Sequence, residues 1–223
     1  MILRGNLPCL VETARAGMRV LDVGGWHNPF GPATHVIDLG RYETRQKHDS
    51  LTPQEAERFT EETWHIQDVC AGGWPYPDKF FDFAICSHLL EDVREPLVVC
   101  RELARVAKRG YVEVPSRARE IFAKARFFGL RAAFGNVPEV GFYHHRWMVE
   151  IEGMHLRFLR KTHQLVMNRD FYLTRRELGR KMTEAESGIC LWWDGDFTAE
   201  EVFEISDNDL REFKRQALAA LRR

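Results

Sequence analysis

Three stretches of the sequence hold residue types that could do chemistry. The first is Leu21-Asp22-Val23-Gly24-Gly25, an apolar run that closes on two glycines. Open parallel sheets take ligands at such a turn: glycine lets the backbone approach a ligand, and a following helix start favours its negative group. About fifteen residues later Asp38 closes a second apolar run, His35–Asp38. A carboxylate there can accept two hydrogen bonds from ribose hydroxyls, so the pair suits an adenosine-containing cofactor. Trp26, His27, Asn28 and Pro29 follow the glycines in place of G-x-G-x-x-G, which argues against a dinucleotide oxidoreductase.

The second stretch, Ser87-His88-Leu89-Leu90-Glu91-Asp92, follows the apolar run Phe81–Cys86. The third is Gly141-Phe142-Tyr143-His144-His145-Arg146-Trp147, dense in donors and stacking faces. Imidazole titrates near neutrality, so His145, His88 and His144 are the candidate bases. His88 would serve equally as a cap or support at a strand end. Neighbours on an extended chain point opposite ways, so one of His144 and His145 faces a pocket, and His145 is preferred. Glu113 ends a later apolar run. It could orient a histidine, bind an acceptor, or pair with Arg117 or Arg146. No metal is expected, because the spacing of His144, His145, His155 and His163 matches no familiar ligand pattern.

The elements that must position these groups follow from periodicity. The strands expected are Arg19–Val23, His35–Asp38, Trp64–Gln67, Phe81–Cys86 and Tyr111–Val114. Helices are expected at Leu7–Ala16, at Glu55–Glu62 and at Arg94–Lys108, where Leu97, Cys100, Leu103, Ala104 and Ala107 recur three and four apart. Near-continuous apolar strands alternating with helices predict an α/β fold, Rossmann-like and doubly wound, with a mostly parallel sheet covered on both faces. Beyond Pro115 a helix over Ser116–Phe134 is expected, with Arg117, Arg119, Lys124, Arg126 and Arg131 in two stripes between apolar faces. Hairpins are expected at Trp147–Leu159 and, around Asp194-Gly195, at Leu191–Phe203. A terminal amphipathic helix is expected at Asp209–Arg222. One domain over 1–223 is expected, with a cofactor-binding core at 17–115, an acceptor-covering segment at 116–165, and a C-terminal antiparallel hairpin and helix at 166–223.

The composition of the 223 residues is ordinary for a globular chain, with 44% hydrophobic and 29% charged residues. The net charge of -1 gives no global basic field, so no nucleic-acid partner is expected. Charge is uneven nonetheless. Arg101–Lys181 holds 18 bases against 8 acids, and Asp194–Asp209 holds seven acids and no base. The basic block suits a small acceptor with an acidic or polar group. Five cysteines with no C-x-x-C pair favour a reduced, cytoplasmic setting, and no signal peptide or membrane insertion is expected.

Several segments agree in order and spacing: the glycine turn, Asp68, Trp74–Asp82, Cys86–Val93, Arg101–Val106 and Gly110–Pro115. Together they resemble the class I S-adenosylmethionine-dependent methyltransferases, in the methyltransferase type 11-like branch with ubiquinone-biosynthesis-like small-molecule enzymes. The likeness spans about residues 17–115. Asp22–Trp26, Ser87–Asp92, Glu113–Arg117 and His144–Trp147 also resemble a subgroup with D-V-G-G-W, S-H-x-L-E-D, E-V-P-S-R and H-H-R-W.

The resemblance implies S-adenosyl-L-methionine as cofactor. Asp22, Gly24 and Gly25 would lie against its methionine part, Asp38 would take the ribose and Leu39 the adenine. Asp68 would accept the adenine amino group with Val69 beside it, and Ser87 and His88 would sit beneath the sulfonium. Tyr143, Arg146, Trp147, Glu113 and Arg117 would meet the acceptor. The implied activity is methyl transfer to a sugar, nucleoside-type metabolite or natural-product intermediate. Trp26 stands where the family has glycine, and could roof the site or crowd it. In the second case the chain would be a non-catalytic binding protein.

Overall fold

The structure, a computed structural model, describes residues 2–15, 17–45, 57–123, 139–203 and 205–222. Its strands are β1 (Val20–Val23), β2 (His35–Asp38), β3 (Trp64–Ile66), β4 (Phe83–Ser87), β5 (Arg109–Pro115), β6 (Trp147–Glu152), β7 (His155–Arg160), β8 (Gly188–Asp194) and β9 (Thr198–Val202). Its helices are α1 (Leu7–Thr13), α2 (Pro96–Val106), α3 (Arg117–Glu120), α4 (His163–Met167), α5 (Arg175–Leu178) and α6 (Asp207–Leu221).

The larger sheet runs β3-β2-β1-β4-β5-β8, parallel through its first five members and antiparallel where β8 meets β5. Strand order reverses between β1 and β4, and that reversal makes their carboxyl ends the place for a ligand. Alternate residues feed two cores. Val20, Phe83, Ile85 and Tyr111 pack with Leu10 of α1 on one face, and Leu21, Val23, Cys86 and Val112 pack with Val99 and Leu103 of α2 on the other. The mostly parallel α/β architecture expected from the apolar strands is therefore present.

A second sheet, β6-β7-β9, lies beyond α2. Its Val149, Leu156 and Phe158 join the α2 core, while Met148 and Leu159 pack with Leu210, Phe213 and Ala217 of α6. The β6–β7 pair is the expected hairpin, with Glu152 opposite His155 across Gly153-Met154. Gly153 stands at φ +60°, as the first central position of such a turn requires. Ser206 and Asp209 cap α6 reciprocally.

Four expectations are corrected. Asp194-Gly195 does not close a hairpin: β8 pairs with β5 and β9 pairs in parallel with β7, so the turn carries the chain from one sheet to the other. Trp193 and Phe197, 5.2 Å apart, anchor both sides of that turn in the core. No helix follows the glycine turn. Residues 24–34 form only turns, because Pro29, Gly31 and Pro32 break any helical run. The segment Glu55–Glu62 holds only a 3-10 turn at Glu61–Thr63 among the described residues. Among the described residues, the helix expected at Ser116–Phe134 is present as α3. Phe122 and Ala123 then bridge to Leu173 and Val140, and Lys124, Arg126 and Arg131 lie outside the described residues. No helix among the described residues is long and apolar enough to cross a membrane.

Candidate active site

At the end of β1, Gly24 adopts φ +74°, and a Cβ there would fall 2.7 Å from the Leu89 side chain. A Cβ on Gly25 would fall 2.4 Å from Oδ2 of Asp22 and 2.8 Å from the backbone of Pro29. These two positions admit no side chain. The tight turn they allow borders a cavity of about 260 Å³ lined by Asp22, Gly24, Gly25, Trp26, Ser87 and His88. Ile2 and Leu7 of the N-terminal segment complete its wall.

Asp22 is buried, and its Oδ2 accepts the Phe30 N–H at 2.7 Å. Burial pushes its carboxyl up to about 7; the Phe30 bond opposes the rise and the nearby Asp38 adds to it. Asp38 ends β2, where Oδ2 accepts the Trp26 N–H at 2.9 Å and Oδ1 the Gly40 N–H at 2.6 Å. Each oxygen keeps a second lone pair. Trp26 sits at φ +41°, 59% exposed, with its ring stacked on His27 at 4.2 Å. It forms a rim of the cavity and does not fill it.

Leu39 and Ile66, 73% and 54% exposed, make an apolar shelf at the ends of β2 and β3. Val69 is instead packed in the core with Cys70 and Trp74. Asp68 accepts the Cys70 N–H at 2.9 Å and pairs with Arg94 at 2.7 Å. The Arg94 guanidinium holds its carboxyl below the ordinary value.

His88, at the end of β4, adopts φ +52°, a strained conformation for a non-glycine residue. Its Nδ1 faces Glu91 Oε1 at 3.2 Å and its Nε2 faces Glu113 Oε1 at 3.1 Å. Burial disfavours the charged ring, but the bonds to Glu113 and Glu91 outweigh it and raise the pKa. As an imidazolium the ring would donate to both carboxylates and keep no lone pair to take a proton. Glu113 also accepts the Leu3 N–H at 2.9 Å, the Tyr111 hydroxyl, and Asn6 Nδ2 at 3.4 Å. Burial raises its pKa, and His88 and Tyr111 more than reverse that. Of the roles open to Glu113 in the sequence, holding a histidine is the one present. Arg117 pairs with Glu150 and lies over Phe213 at 4.8 Å, away from the cavity.

His145 is buried, with Nδ1 at 2.5 Å from Glu120 Oε1 on α3. Glu120 Oε2 accepts Lys161 Nζ at 2.9 Å, and Lys161 also donates to the Phe142 carbonyl at 2.8 Å. Gly141 permits this approach: a Cβ there would fall 2.2 Å from the Glu120 carbonyl oxygen. Its Nε2 lies 3.9 Å from Asp92 Oδ1, and in the tautomer that gives Nδ1–H to Glu120 this nitrogen keeps a lone pair. Burial pushes the Asp92 carboxyl up; His145 opposes this and Glu91 adds to it.

His144 and Arg146 are exposed, and Tyr143 is 86% exposed. Trp147 is a core residue, packed on Phe158 and donating Nε1–H to the Val93 carbonyl at 2.9 Å. The Arg146 and Trp147 N–H groups both donate to the Glu91 carbonyl, at 2.7 and 3.1 Å, tying this loop to the segment after β4.

The structure thus brings Asp22, Gly24, Gly25, Trp26, Ser87 and His88 to one cavity, with Asp38 beside it. The cavity lining does not include Glu113, Arg117, Tyr143, His144, His145, Arg146 or Trp147. Sequence reasoning missed Glu91, Asp92, Glu120 and Lys161 as members of the polar network. Glu91 and Asp92 lay inside the Ser87–Asp92 motif and could have been found there. Nothing local marks Glu120 as the partner of a histidine 25 residues on.

A family model described as a methyltransferase domain matches residues 37–112, from β2 into β5. No curated protein matches the chain. Among solved structures it is similar to the YcgJ protein from Bacillus subtilis, with 24% identity over 50% of this chain and 51% of that one and a TM-score of 0.35. It is similar to the [4+2]-cyclase SpnF, with 23% identity, coverage of 50% and 45%, and a TM-score of 0.36. It is also similar to an S-adenosylmethionine dependent methyltransferase from Mesorhizobium loti, with 16% identity, coverage of 54% and 59%, and a TM-score of 0.36. The chain spans about half the length of these structures.

The assignment therefore rests on the matched segment and the residues around it. Asp22 is a buried carboxyl that a cation would return to its charged form, Asp38 has spare lone pairs, and the glycines hold a turn beside the cavity that no Cβ could enter. These features fit the cofactor. Over residues 37–112 the chain matches the model of a methyltransferase domain, and the site built around that segment fits S-adenosylmethionine.

Proposed function

We propose that this protein transfers a methyl group from S-adenosylmethionine to a small or medium polar metabolite: a sugar, a nucleoside-type molecule or a natural-product intermediate. The observation that carries the reading is the order of groups along the strand ends. A buried acid and a glycine cradle come first, then a ribose-competent carboxylate, then an apolar shelf. When bound, the cofactor supplies a methyl group activated on a sulfonium.

The chain's own residues hold and neutralise. Asp22 balances the ammonium of the amino-acid part, and Asp38 accepts from the ribose. Asp68 keeps lone pairs for the adenine amino group. His88 with Glu91 and Glu113 carries a net negative charge, which favours a cationic sulfur nearby. The acceptor belongs on the side of the Tyr143–Arg146 loop, where an exposed ring can stack and Arg146 can meet an acidic or polar group. Near-attack positioning is the main contribution of such a site. The acceptor's proton is handled by the cluster of Asp92, His144 and His145, with Glu120 orienting His145.

The test is S-adenosylhomocysteine formation on a panel of polar acceptors. His145→Ala is expected to lower turnover by about 100-fold or more, as loss of a proton-handling group does, with cofactor affinity held within about 3-fold. Equal turnover would remove His145 from the mechanism. Cofactor binding with no product from any acceptor would instead favour a binding protein.

A further inference from the structure

The Asp92, His144 and His145 cluster has a geometry that proton transfer alone does not explain. A carboxylate oxygen of Asp92 and a ring nitrogen of each histidine lie within 4.8 Å of one another. Asp92 Oδ1 is sealed from solvent and has no hydrogen-bond partner among the described residues. Its neighbour is His145 Nε2 at 3.9 Å, a nitrogen that keeps a lone pair in the tautomer giving Nδ1–H to Glu120. Oε2 of the adjacent Glu91 is buried and unpartnered as well. Buried carboxylate oxygens without donors are rare, and a cation is one thing that satisfies them. A carboxylate holding the far nitrogen of an imidazole is also how proteins orient metal-binding histidines.

We infer that Asp92, His144 and His145 hold one divalent first-row transition-metal ion. Two imidazoles and one carboxylate suit Zn²⁺, Co²⁺, Fe²⁺ or Mn²⁺, and not Mg²⁺ or Ca²⁺, which prefer oxygen sets. Ligand atoms around a four-coordinate ion stand about 3.4 Å apart, so the cluster closes by about 1 Å on binding. The exposed His144, whose ring also touches Phe142 and Tyr143, would make that movement. Three protein ligands leave a coordination position open.

On the methyl-transfer reading, which this role rests on, that position takes an oxygen of the acceptor. The ion then lowers the pKa of an acceptor hydroxyl, whose proton leaves to solvent. The substrate class narrows to acceptors with a hydroxyl or carboxylate oxygen at or beside the methylated atom. His145 Nε2 cannot bind an ion and take a proton at once, so in the metal-bound protein it acts on the acceptor's proton through the ion it holds, as a ligand. The sequence hid the site because Asp92 lies far from the adjacent histidines along the chain.

The experiment is titration of chelator-treated full-length protein with Co²⁺, followed by visible absorption, with S-adenosylhomocysteine binding measured on the same samples. About one equivalent is expected to bind with ligand-field bands. Affinity should fall by about 100-fold or more in His144→Ala and in Asp92→Asn, and by about 10-fold in Glu120→Gln. His144 is exposed, so its variant keeps the fold, and retained S-adenosylhomocysteine binding verifies that. No saturable Co²⁺ binding, or the same affinity in His144→Ala and Asp92→Asn, overturns the inference. Cofactor binding with no Co²⁺ site sinks the metal alone, and Co²⁺ binding with no cofactor site sinks the methyl-transfer reading alone.

Discussion

The cofactor end and the histidine end of the site are built by different means. At the cofactor end, carboxylates meet backbone N–H groups close by in sequence: Asp22 with Phe30, and Asp38 with Trp26 and Gly40. At the histidine end, side chains meet side chains across long separations, His145 to Glu120 over 25 residues and Glu120 to Lys161 over 41. Backbone donors do not depend on which side chain a residue carries. A side-chain network does, because each member leaves a buried partner unsatisfied when it is removed. The residues that supply those backbone donors should therefore tolerate substitution better than any member of the second region's network.

The largest effect is expected from Glu120→Ala. It strands both Lys161 and His145, whose side chains are 9% and 5% exposed. Breaking a buried pair from one side costs about 3–5 kcal/mol, which in a domain this size lowers Tm by about 10 °C. Thermal unfolding within about 2 °C of wild type would show that the network does not hold the region.

An intermediate effect of opposite sign is expected from Asp22→Asn. The folded chain holds the Asp22 proton up to a pH of about 7, against an ordinary value of 3.8. Because the folded state binds this proton more tightly, the group's contribution is complete below a pH of about 4 and is lost as pH rises through about 7. Asn cannot ionise, so the variant should gain about 1–2 kcal/mol at pH 8, or about 3–6 °C in Tm. Cofactor affinity should fall at the same time. A Tm unchanged by the substitution across pH 4–8 would contradict the burial argument.

The smallest effect belongs to Trp26→Ala. Trp26 serves Asp38 through its backbone N–H, and its ring stands at the cavity rim, stacked on His27. Cofactor affinity should stay within about 3-fold, well under 1 kcal/mol. A gain of tenfold or more would mean that the ring obstructs the site.

The same contrast decides what the sequence revealed. β1, β2, β4 and β5 announced themselves as apolar runs, and the glycine turn and Asp38 followed from local rules. The helix expected after Gly25 failed on an equally local rule, since Pro29 and Pro32 were already in view. The Asp194-Gly195 hairpin failed for a tertiary reason: the open edge of β5 captured β8, and β7 captured β9. Trp147 looked like part of a binding loop and is core, because its indole N–H meets Val93, 54 residues earlier. His145 was chosen by strand alternation, while Glu120, which orients it, lies in a short helix whose position only the assembled fold defines.

Calorimetric titration of the full-length protein with S-adenosylhomocysteine, wild type beside Asp38→Ala, tests the central claim most directly. The account predicts one site in the wild type, weakened by about 10–100-fold in the variant, as loss of a charged hydrogen-bond acceptor implies. No binding at about millimolar ligand, near -4 kcal/mol in affinity, or equal binding in Asp38→Ala, would contradict it.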